Sequence, residues 1–257
     1  MFQYFFETKD TIAKGVGFKL FDLTHIFWLV LLVVLAVALC LIYRRLSEKG
    51  RKIFRIVLAS LIVADELYKI IGLLAIGKYT AGYLPLHLCS INIFMISIHA
   101  FKPFRILDNF LYTVCIPASL AALLVPNWTQ LPLLNFMHIH SATVHILLLL
   151  YPLILTVCGD IKPRLRDLPL SLGLLLGMAI PIYGIDVWLG KNFMFLIKPD
   201  GVPPLVFFEK LWGNHVLGFP VLIAAIVVVM YTPWVVAHLI KKRREKRSAS
   251  MQSDLEV

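Results

Sequence analysis

Residues 23–43 read LTHIFWLVLLVVLAVALCLIY, an apolar run that contains no Asp, Glu, Lys or Arg. A helix of about 20 apolar residues crosses the hydrocarbon core of a bilayer. Because that core holds no water for backbone groups to bond, such a run closes its hydrogen bonds as a helix. The stretch therefore predicts a transmembrane helix, and it decides the fold class.

The composition of the whole chain agrees with this interpretation. Of its 257 residues, 60% are hydrophobic and 16% are charged, whereas about 25% are charged in a typical soluble domain. These values exclude a soluble enzyme, a disordered protein and a small disulfide-stapled domain. The formal net charge is +10. Basic cytoplasmic loops account for such a charge in membrane proteins, so no nucleic-acid partner is predicted.

Six further apolar runs are long enough to cross a bilayer, and none shows the ten-residue alternation of a membrane barrel. They cover residues 53–76, 84–101, 107–125, 139–158, 168–189 and 216–240. The predicted fold is therefore all-α, a polytopic membrane protein with a bundle of seven transmembrane helices. One transmembrane domain would cover residues 1–240. Residues 241–257 would form a basic, disordered cytoplasmic tail.

The distribution of Lys and Arg predicts the orientation of the chain. If the N-terminus lies outside, the inner segments hold 17 of the 25 basic residues and the outer segments hold 7. Such an excess is typical of cytoplasmic loops. We therefore expect a multi-pass protein of the cell membrane with its N-terminus outside and its C-terminus inside. The inner segments are residues 44–55, 102–106, 159–167 and 241–257.

The four cysteines all lie in apolar runs and at no metal-ligand spacing. No structural disulfide, metal site or cofactor is predicted from them. Cys40, Cys115 and Cys158 have no polar company, so we interpret them as small packing side chains. Cys89 differs because polar residues surround it in the sequence, namely His87, Ser90 and Asn92.

Charged residues inside the second span are the costliest in the chain, because a charge in lipid must be paired or must face water. This span carries Asp65, Glu66 and Lys69. Asp65 and Lys69 are four residues apart, so we expect them to pair on one face of the helix. Glu66 lies about 100° round the helix and is expected to face a polar cavity.

The fifth span carries a stripe of polar residues at helical spacing. His138, Ser141 and His145 follow an i, i+3, i+7 pattern and line one face, whereas His140 points elsewhere, toward Thr143 and Val144. His145 is expected to lie about 8–9 Å below the outer boundary of the membrane.

Cys89 of the third span has the same calculated depth, and it shares a helix face with Asn92. A thiol and an imidazole are therefore expected to meet in a cavity that opens to the outer leaflet. The residues predicted to line this cavity are Asp65, Glu66, Lys69, His138, His140 and Ser141.

A cysteine paired with a histidine can perform acyl transfer. The histidine takes the thiol proton, and the thiolate attacks an ester to form a thioester. Asn92 or Ser90 would then donate to the oxyanion. The candidate catalytic residues are Cys89, His145, His87 and Asn92.

Two other classes of function remain open from the residues alone. Histidine is the commonest metal ligand, but the only paired spacing here is His138-x-His140. Intramembrane Asp, Glu, Lys and His are typical of transporters, yet the chain shows no inverted repeat and seven helices do not divide into equal halves.

The third span pattern Leu84-Pro-x-His-Leu-Cys89-Ser, the Asp65-Glu66 pair and the His145-x6-Pro152 spacing resemble those of the YwaF-like bacterial integral membrane proteins. The layout is similar over nearly the whole chain. More distantly, it resembles the eukaryotic transmembrane protein 164, a cysteine–histidine acyltransferase of phospholipids, and the androgen-induced membrane hydrolases of fatty-acid esters. The resemblance implies that His145 is the family's histidine. It places the family's cysteine at Leu86, so that the family's nucleophile is either absent from this chain or displaced by three residues, to Cys89.

Together these observations predict an integral membrane protein that acts on lipids by acyl transfer or ester hydrolysis in an outward-facing cavity. Its expected partners are membrane lipids, with a phospholipid or fatty-acyl substrate. The alternative is a transporter or binding protein for a small polar or lipid solute, which would use Asp65, Glu66 and Lys69.

Overall fold

The computed structural model describes the backbone of residues 2–253 and the side chains of residues 3–236 and 240. The side chains of the predicted basic tail, residues 241–257, lie outside this part. Helices and no strands form the regular structure of the described residues. The α-helices are α1 (Leu23–Arg45), α2 (Glu48–Ala75), α3 (Leu88–Phe101), α4 (Arg105–Phe110), α5 (Ile116–Leu124), α6 (Phe136–Val157), α7 (Leu168–Leu189), α8 (Pro203–Trp212) and α9 (Phe219–Ser253). A π-helical segment, Leu111–Cys115, joins α4 to α5.

Five helical stretches of the described residues are long and apolar enough to cross a membrane. They are Leu23–Arg45, Arg105–Leu124, Phe136–Val157, Leu165–Leu189 and His215–Val236. The two other predicted runs coincide with α2, which carries charged residues in its middle, and with α3, which has only 14 residues. The all-α membrane fold is therefore confirmed. The count of seven spans and the orientation of the termini stay predictions.

The chain divides into two compact units, Met1–Lys198 and Pro199–Val257. The first unit contains α1 to α7, and the second contains α8 and α9. In the second unit, α8 buries Leu205 and Phe208 on one face and exposes Phe207 and Leu211 on the other. The residues singled out from the sequence as a site all belong to the first unit.

Helix α6 forms the centre of the first unit and packs against α1, α2, α3 and α5. Its fully buried side chains include Leu148, Leu150, Tyr151 and Ile154. Gly72 of α2 lies so close to the ring of Phe136 that a Cβ there would stand 3.0 Å from it. The apolar faces of α1 and α7 are exposed, as expected for helices whose outer surface is solvated by hydrocarbon.

Residues 3–22, here named the N-terminal strap, are fastened to the loop that precedes α6. Asn135 caps α6 by accepting from the N–H groups of the first turn, and its own amide donates to the carbonyls of Tyr4 and Glu7 at 2.7 Å. The Phe18 N–H donates to the carbonyl of Thr129 at 2.8 Å. A Cβ at Gly17 would stand 2.0 Å from that same carbonyl, so only glycine fits there.

The third predicted span, residues 84–101, begins later than expected. Helix α3 starts at Leu88, and His87 is its N-cap residue. Pro85 therefore precedes the helix. The first turn would also have suited proline, because the N–H groups there have no partner within the helix. Cys89 is consequently the second residue of α3 and lies at its N-terminal end.

Candidate functional site

The structure brings Cys89 of α3 and His145 of α6 into direct contact. The Cys89 Sγ lies 3.0 Å from the His145 Nε2, and the His145 Nδ1 lies 2.6 Å from the carbonyl oxygen of Ser141. A carbonyl oxygen can only accept, so Nδ1 carries the ring proton and donates it to Ser141. The lone pair of Nε2 therefore faces the thiol and can take its proton.

A tryptophan that sequence reasoning missed holds the ring of His145. Trp128 stacks on the imidazole with ring centroids 5.2 Å apart and an interplanar angle of 15°. Its side chain is only 4% exposed, because it packs with Leu131 and with Phe18 of the N-terminal strap. Trp128 lies in the loop between α5 and α6, where no periodicity indicates which side chain turns inward.

Asn92 lies one turn beyond Cys89 on the same face of α3. Its side chain is 0% exposed, and neither its Oδ1 nor its Nδ2 has a hydrogen-bond partner among the described residues. A buried polar group without a partner costs about 1–3 kcal/mol. The amide is therefore kept at a cost to stability, and it is free to bond a ligand.

The ring of His87, a predicted catalytic residue, contacts backbone carbonyls with both of its nitrogens. Its Nδ1 faces the carbonyl oxygen of Phe193 at 2.9 Å, and its Nε2 faces that of Gly82 at 3.2 Å. As the N-cap of α3 it makes no side-chain cap hydrogen bond. The N–H groups of the first turn, beside Cys89, thus receive no cap from His87 and form the kind of helix terminus that binds anions.

The charged residues of α2 pair differently from the prediction. Lys69 bonds Glu66 at 2.5 Å, three residues away, and does not form the predicted pair with Asp65. The Asp65 carboxylate instead contacts α6, with His140 Nδ1 at 3.3 Å and the hydroxyl of Thr143 at 3.1 Å. The reason is that α6 offers Asp65 both a ring nitrogen and a hydroxyl, which leaves Lys69 to the adjacent carboxylate.

The three predicted cavity residues of α6, His138, His140 and Ser141, make different contacts. His140 also approaches Glu66, with Nε2 3.8 Å from Oε2, so its ring lies between the carboxylates of Asp65 and Glu66. His138 is fully buried elsewhere, where its Nε2 accepts from the Trp28 N–H at 2.8 Å and its Nδ1 donates to the Leu131 carbonyl at 2.9 Å. Ser141 contributes its backbone carbonyl to His145.

The position at which the resemblance places the family's cysteine is apolar in both sequence and structure. Leu86 packs with Ile91, Ile182 and Phe193. The thiol that reaches the histidine is that of Cys89. No three His, Cys, Asp or Glu side chains converge as a metal site among the residues that the structure describes.

Comparison with known proteins identifies the family. The model of the TMEM164 family matches residues 20–231. No curated protein and no solved structure matches the chain. The predicted resemblance to transmembrane protein 164 is thus confirmed, and with its long apolar helices this chain is an integral membrane protein that belongs to the TMEM164 family.

Proposed function

We propose that this protein is an enzyme of the cell membrane that transfers or hydrolyses an acyl chain of a membrane lipid, with Cys89 as nucleophile and His145 as base. The observation that carries the proposal is the 3.0 Å contact between Sγ and Nε2, with the ring tautomer fixed by Ser141. Membership of the TMEM164 family supports the same assignment. The proposed substrates are phospholipids or other fatty-acyl esters.

In the first step, His145 Nε2 takes the proton of the Cys89 thiol, and the thiolate attacks the carbonyl carbon of the ester. A C–S bond forms, the ester C–O bond breaks, and the leaving alkoxide takes the proton from His145 and departs as an alcohol. In the second step, water or the hydroxyl of an acceptor lipid gives its proton to His145 and attacks the thioester. The C–S bond then breaks, and His145 returns the proton to the thiolate.

The negative oxygen that forms in both steps needs donors close to Cys89. The Asn92 amide, which is buried without a partner, is the first candidate. The N–H groups of the first turn of α3 are the second, because the positive end of a helix dipole favours an anion. One well-placed donor of this kind contributes about 10²–10³-fold to the rate.

The test is to trap the acyl-enzyme. Purified protein in lipid nanodiscs receives a phospholipid whose acyl chain ends in an alkyne, and the tagged chain is then detected on the protein. We expect a label at Cys89 that neutral hydroxylamine removes, since hydroxylamine cleaves thioesters.

Cys115→Ser is the matched control, because the Cys115 thiol is buried against the carbonyl of Leu148 at 3.3 Å. Cys89→Ser should abolish the hydroxylamine-sensitive label, and Cys115→Ser should keep it. Equal labelling of the wild type and the Cys89→Ser variant would show that Cys89 carries no acyl group.

A further inference from the structure

A groove between α2 and α3 is lined in part by Ser90, the residue that follows Cys89 in the chain. It encloses a cavity of about 170 Å³. The residues that line it are Val63, Glu66, Leu67 and Ile70 from α2, and Pro85, Ser90, Ile93, Phe94 and Ser97 from the α3 side. This α2–α3 groove is mostly apolar, and its polar lining residues are Glu66, Ser90 and Ser97.

Exposed apolar side chains border the open side of the groove. Leu67 and Phe94 form its outer edges, and their side chains are 49% and 52% exposed. In a membrane protein such side chains contact lipid tails. An occupant can therefore enter from the side, directly from the bilayer, and it must be apolar along most of its length.

Two polar residues of the lining, Glu66 and Ser90, connect the groove to the surroundings of the reactive pair. Ser90 follows Cys89 in the chain, and Glu66 also takes part in the Lys69 and His140 contacts near the site. On another side, Trp128 stacks on the ring of His145, and the strap residue Phe18 packs in turn against Trp128. The lining of the groove contains neither Trp128 nor Phe18, and through Ser90 it comes within one residue of Cys89 along α3.

The far end of the groove is set by α3. Ser90, Ile93, Phe94 and Ser97 follow the i, i+3, i+4, i+7 pattern of one helix stripe, which extends about 10 Å along the axis. The Ser97 hydroxyl donates to the carbonyl of Ile93 at 2.8 Å, so it offers no donor to an occupant. A small residue at this end leaves room that a larger one would fill.

We propose that the α2–α3 groove binds the acyl chain of the lipid substrate and that Ser97 and Phe94 set the chain length it accepts. This inference rests on the proposed function, because it assigns the chain's position relative to the reacting carbonyl at Cys89. The carbonyl end lies near Ser90, and the methyl end extends along α3 past Ser97.

The test separates binding from chemistry. The Cys89→Ser variant in nanodiscs receives phosphatidylcholine with a photoreactive diazirine near the end of one acyl chain. We expect cross-links to concentrate on residues 63–70 and 93–97. Ser97→Phe should reduce them at least several-fold, whereas Ile98→Phe, at an exposed neighbour that does not line the groove, should leave them unchanged. Cross-links spread evenly over the exposed faces of α1 and α7 would overturn the proposal.

Chain preference provides the second measurement. With Cys89 intact, Ser97→Phe should shift acyl-enzyme formation toward shorter chains, and Phe94→Ala should shift it toward bulkier ones. Thioester formation with an unchanged chain preference in both variants would reject the groove but retain the nucleophile. Cross-links in the groove without any thioester would reject the nucleophile but retain the groove as a lipid site.

Discussion

Two histidines join α3 to α6, and their surroundings differ. At one level His145 contacts the thiol of Cys89 and the carbonyl of Ser141. At the other level His99 of α3 bonds the Tyr151 hydroxyl at 2.9 Å and the Asp108 carboxylate at 2.7 Å. Cys89 precedes His99 on α3, and their partners His145 and Tyr151 follow in the same order on α6. The two helices therefore run parallel.

The difference lies in what each cluster leaves free. His99 is 2% exposed, and strong partners occupy both of its ring nitrogens. Beside it, the Tyr43 hydroxyl and Arg51 both bond Asp160. His145 is only half-buried, its partner Cys89 precedes Ser90 of the α2–α3 groove in the chain, and the buried amide of Asn92 has no partner among the described residues. A satisfied histidine fixes helices, whereas one beside a thiol and a free donor is suited to chemistry.

The largest expected effect is that of His145→Asn on activity. The Asn amide can still donate to the Ser141 carbonyl, but it has no basic nitrogen for the thiol. We expect acyl-enzyme formation to fall about 10²–10⁴-fold, with the melting temperature nearly unchanged. The rate of label transfer and the intrinsic fluorescence melting curve measure the two quantities. Full activity of the His145→Asn variant would show that His145, like His99, has only a structural role.

Asn92→Ala should have the next largest effect on the rate. Loss of one oxyanion donor lowers acyl-enzyme formation by about 10²–10³-fold. Stability should stay constant or rise, because the substitution removes a buried amide that has no described partner. A fall in melting temperature with full activity would instead assign Asn92 to packing.

His99→Asn is the matched counterpart at the other cluster, with the opposite outcome expected. It leaves the Asp108 carboxylate or the Tyr151 hydroxyl without its partner, which should cost about 1–3 kcal/mol of stability. Acyl-enzyme formation at a temperature where the variant is folded should remain within a few-fold of the wild type. Loss of activity at full stability would show that the His99 cluster takes part in the reaction.

The sequence predicted the helical membrane fold because apolar runs of span length are a one-dimensional signal. It also predicted that Cys89 and His145 lie at one depth, since helical rise converts sequence position into height. Pairing between helices depends on packing that spacing does not encode. For this reason Asp65 was assigned to Lys69, although Thr143 and His140 of α6 compete for it.

Residues outside the helices were the least predictable. Trp128 stacks on His145 from a loop, and Phe18 of the strap packs against Trp128. Neither segment has a sequence periodicity that would indicate which side chains turn inward. The start of α3 at Leu88 also depends on tertiary contacts, since His87 is held by carbonyls of Phe193 and Gly82. That shift of four residues is what brings Cys89 to a helix terminus.

The smallest expected effect concerns the N-terminal strap, whose Phe18 packs against Trp128, the residue that stacks on His145. The Glu7 carboxylate accepts a hydrogen bond from the Thr11 hydroxyl and another from Lys78 at 3.4 Å, and both hold the pKa of Glu7 below its usual range. A lowered pKa in the folded state means that this stabilisation is complete above the usual glutamate pKa. It is lost as the pH falls through the lowered value.

Hydrogen exchange of residues 3–22, corrected for intrinsic rates, should therefore increase in acid by at most about five-fold, because the carboxylate is exposed and solvent screens the Lys78 contact. Glu7→Gln should show the faster exchange at every pH and should lose the acid-dependent step. The exchange of α6 around Tyr151 should not follow this step, since the His99 cluster has no contact with the strap among the described residues. A parallel acid response at both places would mean that the two clusters open together rather than separately.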